Sequence, residues 1–381
     1  MKLVGIELWR VDLALSNPVA TSQGSHGPRP VLYVRVVTDE AEGWGECGAL
    51  PGGTAVDPAL DDVDVAVAER AVPRLFQAGA SRGGELVGAP SVARLFGEGP
   101  LERVVAATIQ MAVLDAELRS SATALAERLG AVRAVVESGG VVGIPPGRDP
   151  GALVDAAARL LDGGARRVRF KIEPGWDTVP ARALRTAFPS AALLADANGA
   201  YRRGGTDDDA SVLCALDDYG LVCIEQPLPA PDLAALGILA AELATPIGLD
   251  ESLGTVRRLA EAIRYGAVAV ACIKPSRIGG LLAARRALAM AAEAGIDGFV
   301  GGFFESGLGR AANAAVAGLC GSSLPGDLSD PADYLVEDPC GYLEVDGGAV
   351  RLTTAPGVGA APDSAVLARL GAVGRWFPYR S

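Results

Sequence analysis

Six residues recur at nearly even intervals: Lys171, Asp196, Glu225, Asp250, Lys274 and Glu305, with separations of 25, 29, 25, 24 and 31 residues. Each closes a short apolar run. Asp196, Glu225 and Asp250 are carboxylates on three successive runs. Hard oxygens converging from three neighbouring elements suit an octahedral Mg²⁺ whose other positions stay open to water or ligand, and Mn²⁺ could substitute. One acid at such a place is more commonly a helix N-cap or a solvated residue. Three at one interval outweigh that reading. Lys171 and Lys274 flank the trio by one interval on each side. An isolated lysine is ordinarily solvated surface, but one near other cations can be depressed enough to act as a base near neutral pH. Arg169 precedes Lys171 by two residues and so shares its strand face; it can supply charge but cannot deprotonate. Arg277, three residues after Lys274, is expected to lower that lysine's pKa. Asn198, Gln226 and Glu251 follow the three acids closely and are expected to orient them from behind.

These intervals equal about one strand plus one helix. The runs Val168–Ile172, Leu193–Ala195, Leu221–Ile224, Pro246–Leu249, Val268–Ile273 and Gly298–Gly301 read as strands. Helical patterns fit between them, as in Val256, Leu259, Ala260 and Ile263, with Thr255 placed to cap. Apolar parallel strands imply a sheet covered on both faces. Six strand ends share one mouth only if that sheet closes into a barrel, whereas an open sheet strings them along an edge. The fold class expected is therefore α/β, a TIM-type barrel over residues 129–345. Ahead of it, Leu3–Leu13, Val31–Val37 and the piece ending Gly43-Trp44-Gly45-Glu46 alternate like strands around a polar stretch, Ser16–Pro30. With a helical pattern over Leu101–Leu129 they make an α+β domain over residues 1–128. The final segment, 346–381, reads as loop-like and returns toward that first domain.

Composition narrows the chemistry. The net charge of −12 disfavours nucleic acid, which needs a basic patch. No apolar run is long enough for a membrane span, and Glu7, Arg10 and Asp12 interrupt any signal-peptide core. Six scattered cysteines without a C-x-x-C pair read as reduced core residues of a cytoplasmic protein. The one histidine, His26, argues against multi-histidine zinc sites and a Ser-His-Asp triad, and reads as a loop residue. Gly43 to Gly48 satisfies G-x-G-x-x-G but runs into Pro51-Gly52-Gly53 where a helix should open. Gly307-Leu308-Gly309-Arg310 reads as a loop where backbone approaches a substrate carboxylate. A Schiff-base aldolase using Lys274 and a non-catalytic barrel are the rival readings. Three metal-like carboxylates count against both.

Longer stretches carry a family resemblance. Arg169-Phe170-Lys171, Asp196-Ala197-Asn198-Gly199, Ile224-Glu225-Gln226-Pro227, Leu249-Asp250-Glu251-Ser252 and Ile273-Lys274-Pro275-Ser276-Arg277 together resemble the enolase superfamily. Within its muconate-lactonizing group, they resemble the o-succinylbenzoate synthase / N-succinylamino acid racemase family. Gly301-Gly302-Phe303-Phe304-Glu305-Ser306 and Leu324-Pro325-Gly326-Asp327 continue the likeness, which covers nearly the whole chain. It implies a capping domain over a modified (β/α)₇β barrel, with Mg²⁺ held by Asp196, Glu225 and Asp250. Lys171 and Lys274 are then the acid/base pair, and Arg277 tunes Lys274. Loops near 18–30 and 50–60 close over a small-molecule carboxylate substrate, giving Ser22, Gly302, Phe303, Glu305 and Ser306 as substrate contacts. The activity implied is α-proton abstraction, as syn-dehydration in menaquinone synthesis or as racemisation of N-acylamino acids; a homo-oligomer is compatible with it. The family's usual K-x-K is R-x-K here, and the first capping loop reads Thr21-Ser22-Gln23-Gly24 where a phenylalanine is usual.

Overall fold

Alternating apolar residues over Leu3–Leu13 form strand β1, with Ile6, Leu8, Val11 and Leu13 turned into the core. A computed structural model of the chain describes residues 1–16, 19–21, 24–26, 28–204, 208–341 and 343–380, with backbone alone for 19–21 and 24–26. Part of the polar stretch after β1 is a short hairpin, β2 (Val19–Thr21) and β3 (Gly24–His26), where a loop was expected. Ser22 lies outside the described residues. Strands β4 (Arg29–Thr38) and β5 (Glu42–Glu46) continue an antiparallel sheet from β1.

The helix Pro100–Ser120 packs on this sheet and is buried almost all round from Val104 to Leu118. Two glycines of β5 permit the approach. A Cβ on Gly43 would stand 2.1 Å from the Ala116 nitrogen, and one on Gly45 would stand 2.2 Å from the Thr108 carbonyl oxygen. The expected helix 101–129 is broken at Ser121–Ala124, where Ala122 takes a φ of 52°, and resumes at Leu125–Leu129.

After β6 (Val135–Glu137), seven parallel strands run in sequence order: β7 (Gly140–Val142), β8 (Val168–Lys171), β9 (Leu193–Asp196), β10 (Ile224–Glu225), β11 (Ile247–Leu249), β12 (Val270–Ile273) and β13 (Asp297–Val300). All but the first appear in the sequence pattern. β7 is hidden because it is three residues long and begins with glycine. The ring closes through Leu324–Asp327. Leu324 and Asp327 donate backbone hydrogen bonds to Gly298 and Val300 of one edge, while Gly326 donates to Glu137 and accepts from Gly139 on the other. That makes an eighth position in the barrel.

The end of the chain is more regular than a loop. β14 (Val345–Asp346) and β15 (Ala349–Arg351) form a hairpin paired to β6, so the expected boundary at 345/346 falls inside it. A helix, Ser364–Arg369, leads to β16 (Val373–Pro378), which pairs antiparallel with β1 at the edge of the first sheet. Of the cysteines, Cys47, Cys223 and Cys272 are buried, but Cys320 is exposed rather than part of the core.

Candidate active site

The parallel strands deliver the expected residues to one mouth. Lys171 and Asp196 end β8 and β9, Glu225 ends β10, and Asp250 and Lys274 follow β11 and β12 directly. In an eight-position ring, β8 and β12 are four places apart, so the two lysines rise from opposite walls. A cavity of about 290 Å³ lies over this mouth, lined by Arg169, Lys171, Lys274 and Arg277 and roofed by Leu50 and Thr54 of the N-terminal region.

Each carboxylate lies beneath a cation. Lys171 Nζ donates to Asp196 Oδ2 at 2.6 Å and to Asn198 Oδ1 at 2.7 Å. Arg169 Nη1 reaches Glu225 at 2.9 and 3.2 Å, and its Nη2 reaches Asp327 Oδ2 at 2.6 Å. Lys274 Nζ holds Asp250 Oδ2 at 2.8 Å and lies 4.4 Å over the Phe303 ring. Arg277 Nη1 takes the other Asp250 oxygen. Burial pushes the Glu225 carboxyl up to about 8; Arg169 opposes this, and Asp196 and Asp250 add to it. Burial also works to raise Asp250, but Arg277 and Lys274 hold it well below the usual range. Lys274 departs from expectation. Burial and Arg277 both push its pKa down, yet the Asp250 charge outweighs them and the net direction is up.

The polar neighbours fasten the strand ends to one another. Asn198 receives Lys171, donates its Nδ2 to Glu251 Oε1 at 2.9 Å, and its backbone N–H caps Asp196 at 3.0 Å. Gln226 Oε1 accepts from the Asp250 and Ser252 backbones, and its Nε2 donates to Ser252 Oγ at 2.8 Å. Asn198 and Gln226 both hold left-handed φ values, 45° and 42°. Such backbone persists where surrounding contacts over-determine it, commonly at functional sites.

Two expected substrate contacts point elsewhere. β13 ends at Val300 and the chain turns at Phe304, whose φ is 59°, so Glu305 leads into the helix Gly307–Ala317 instead of closing a strand. Its carboxylate accepts from Phe303 N–H and Asn313 and pairs with Arg310 at 3.3 Å. Ser306 is fully buried against Glu46. Gly302 and Phe303 do line the cavity. Sequence reasoning gave no role to Asp57, Asp327 or Tyr334. Asp327 sat in a quoted motif, but only the fold reveals that its carboxylate joins Arg167 and Arg169.

The donor set fits a divalent cation. The three expected ligands are each 1% exposed or less; oxygens of Glu225 and Asp250 lie within 4.8 Å of each other and of Cys272 Sγ, whereas Asp196, held by Lys171, is outside that close group. Among the described residues no helix is long and apolar enough to cross a membrane.

The chain is similar to known proteins over most of its length. Residues 152–366 match the family model of the enolase C-terminal domain-like family. An N-succinylamino acid racemase from Amycolatopsis sp is 41% identical over 95% of each chain. An o-succinylbenzoate synthase from Geobacillus kaustophilus is 34% identical over 92% of this chain and 91% of its own. The solved structure of a probable mandelate racemase from Alicyclobacillus acidocaldarius superposes with a TM-score of 0.89 at 33% identity, covering all of both chains. With a closed β/α ring, lysines on opposite walls and three buried acids between them, the chain belongs to the enolase superfamily, in its o-succinylbenzoate synthase / N-succinylamino acid racemase family.

Proposed function

We propose that this enzyme abstracts the α-proton of a small carboxylate substrate with the help of one Mg²⁺, and that its reaction is the syn-dehydration that forms o-succinylbenzoate in menaquinone synthesis. The observation that carries the reading is the pair of lysines rising from opposite walls above three buried carboxylates. Asp196, Glu225 and Asp250 would hold the metal. When bound, the cation supplies an electrophile for the substrate carboxylate and offsets the charge that builds there as the proton leaves. Lys171 takes the α-proton and returns it to the departing hydroxide on the same face. Lys274, kept as an ammonium by Asp250 and the Phe303 ring, remains a fixed cation on the other face. Residues 1–128 and the returning strand β16 act as the cap, and 129–345 as the catalytic barrel. Leu50 and Thr54 roof the cavity and exclude water.

Racemisation of N-succinylamino acids is the second reading, favoured by the 41% identity to the Amycolatopsis racemase. It requires Lys274 to exchange protons as well, against the pull of Asp250. In D₂O with Mg²⁺, the wild type should dehydrate the hydroxylated precursor of o-succinylbenzoate. Asp250→Asn should stay folded and lose turnover by at least about a thousandfold, and EDTA should abolish turnover reversibly. Full activity in metal-free protein would refute the proposal. Deuterium entering both enantiomers of an N-succinylamino acid, without dehydration, would select the second reading.

A further inference from the structure

Arg277 is shared between two carboxylates from different parts of the molecule. Its Nη1 holds Asp250 in the barrel mouth, while its Nε and Nη2 form a two-pronged pair with Asp57 at 2.8 and 2.6 Å. Asp57 lies 220 residues away in sequence, in the N-terminal turn that includes the cavity roof. Both partners are buried. The same Asp57 Oδ2 accepts the Thr54 hydroxyl at 2.8 Å, and Thr54 Oγ1 in turn accepts the Val56 and Asp57 backbone N–H groups. A continuous relay, Thr54–Asp57–Arg277–Asp250, therefore connects the roof to an acid of the mouth. Two further contacts seat the joint. Arg103 Nε donates to the Arg277 carbonyl at 3.1 Å, and a Cβ on Gly48 would stand 2.5 Å from Ser276 Oγ.

We infer that Asp57 is a positioning residue for the metal site: by holding two of the three donating nitrogens of Arg277, it leaves Asp250 available to a divalent cation and ties that event to the closing of the roof. The inference rests on the metal reading given above. A bidentate arginine–carboxylate pair has fixed geometry, so it sets where the third nitrogen points. Without the Asp57 charge, Asp250 is the one remaining ion-pair partner of Arg277 among the described residues, and an entering cation must compete with the guanidinium for it. By linkage, the effect runs both ways: whatever Asp57 contributes to metal affinity, metal contributes to the order of the turn.

The test uses Mn²⁺ calorimetry and amide hydrogen exchange on the full chain, neither of which depends on turnover. Asp57→Asn should weaken Mn²⁺ binding by about fivefold or more and speed exchange across 50–59. Asp57→Glu, which keeps the charge, should recover much of the affinity. Thr54→Val, which removes the roof bond but keeps the ion pair, should speed exchange in the turn and, by the same linkage, lower Mn²⁺ affinity by less than Asp57→Asn does. In the wild type, saturating Mn²⁺ should slow exchange across 50–59, an arm that needs no variant to fold. Mn²⁺ affinity unchanged by Asp57→Asn, or turn exchange indifferent to Mn²⁺, would overturn the inference alone. A wild type that binds no divalent cation would instead overturn the metal reading on which it rests.

Discussion

Arg169 performs a task that a lysine in its place could not. One nitrogen of its fork holds Glu225 and another holds Asp327, so it ties an acid of the mouth to the segment that closes the ring. A lysine donates all its hydrogen bonds from one nitrogen and lacks the spread of the planar fork over both carboxylates. Arg169→Lys should therefore keep charge near Lys171 yet lose part of both stability and turnover. Arg169→Met leaves the buried Glu225 without its arginine, while Asp327 keeps Arg167, and should cost about 3–5 kcal/mol. Urea unfolding of the three proteins checks the order; equal stability of wild type and Arg169→Met would show that the fork is dispensable. At this scale the sequence was informative wherever chemistry repeats with the fold's own period, as at Lys171, Asp196, Glu225, Asp250 and Lys274. It was silent on Asp57, whose partner is 220 residues away and whose turn has no periodicity. It misled at Glu305, where spacing alone cannot tell a strand end from the residue that starts the next helix. The direction of the Lys274 shift was equally illegible, because it depends on whether Asp250 or Arg277 is the stronger neighbour.

At the level of elements, the helix Gly307–Ala317 is anchored by an acid from another sheet. Glu46, the last residue of β5, accepts from Ser306 N–H, Ser306 Oγ and Gly309 N–H at 2.7 to 2.8 Å. Carboxylates are favoured at helix N-termini, but this one is fully buried. Burial pushes its pKa up to about 7 against the pull of the Ser306 bonds, with Glu305 adding repulsion and Arg29 opposing it. The folded state thus holds this proton more tightly than the unfolded chain does. Its contribution to stability is complete below about pH 4.5 and is lost as pH rises through about 7, an effect of about 3 kcal/mol. Glu46→Gln cannot titrate, so its melting temperature should vary less across that window than the wild type's. Parallel pH profiles would argue that Glu46 is not the group responsible. β1, β4 and β5 of the first sheet were legible from alternation and helices from apolar spacing, whereas β16 lies in a segment that reads as loop-like. β7 and the closing segment were not legible, since a three-residue strand that begins with glycine and a Leu-Pro-Gly-Asp stretch carry no period of either kind.

The whole molecule is stitched end to end. β16 covers β1, and Trp376 lies over Gly5 so closely that a Cβ there would sit 2.4 Å from its ring. Deleting Val373–Pro378 should strip exchange protection from those amides of Gly5–Arg10 that face β16, the others staying bonded to β4, and lower the melting temperature, while the amides of β9 to β12 keep their rates. Unaltered protection in β1 would mean that the returning strand is decoration. The ring has a similar dependence on a late arrival, and this bears on how the chain is made. β7 is synthesised at residue 140, but the segment that completes its outer edge is not made until residue 324. At about 5–20 residues per second, a ribosome needs roughly ten to forty seconds to cover that gap. Throughout it the nascent barrel carries an unpaired edge, the feature most prone to join a neighbouring chain. Productive yield in a cell should therefore be decided in that interval, by translation speed and chaperone supply, more than by the stability of the finished enzyme.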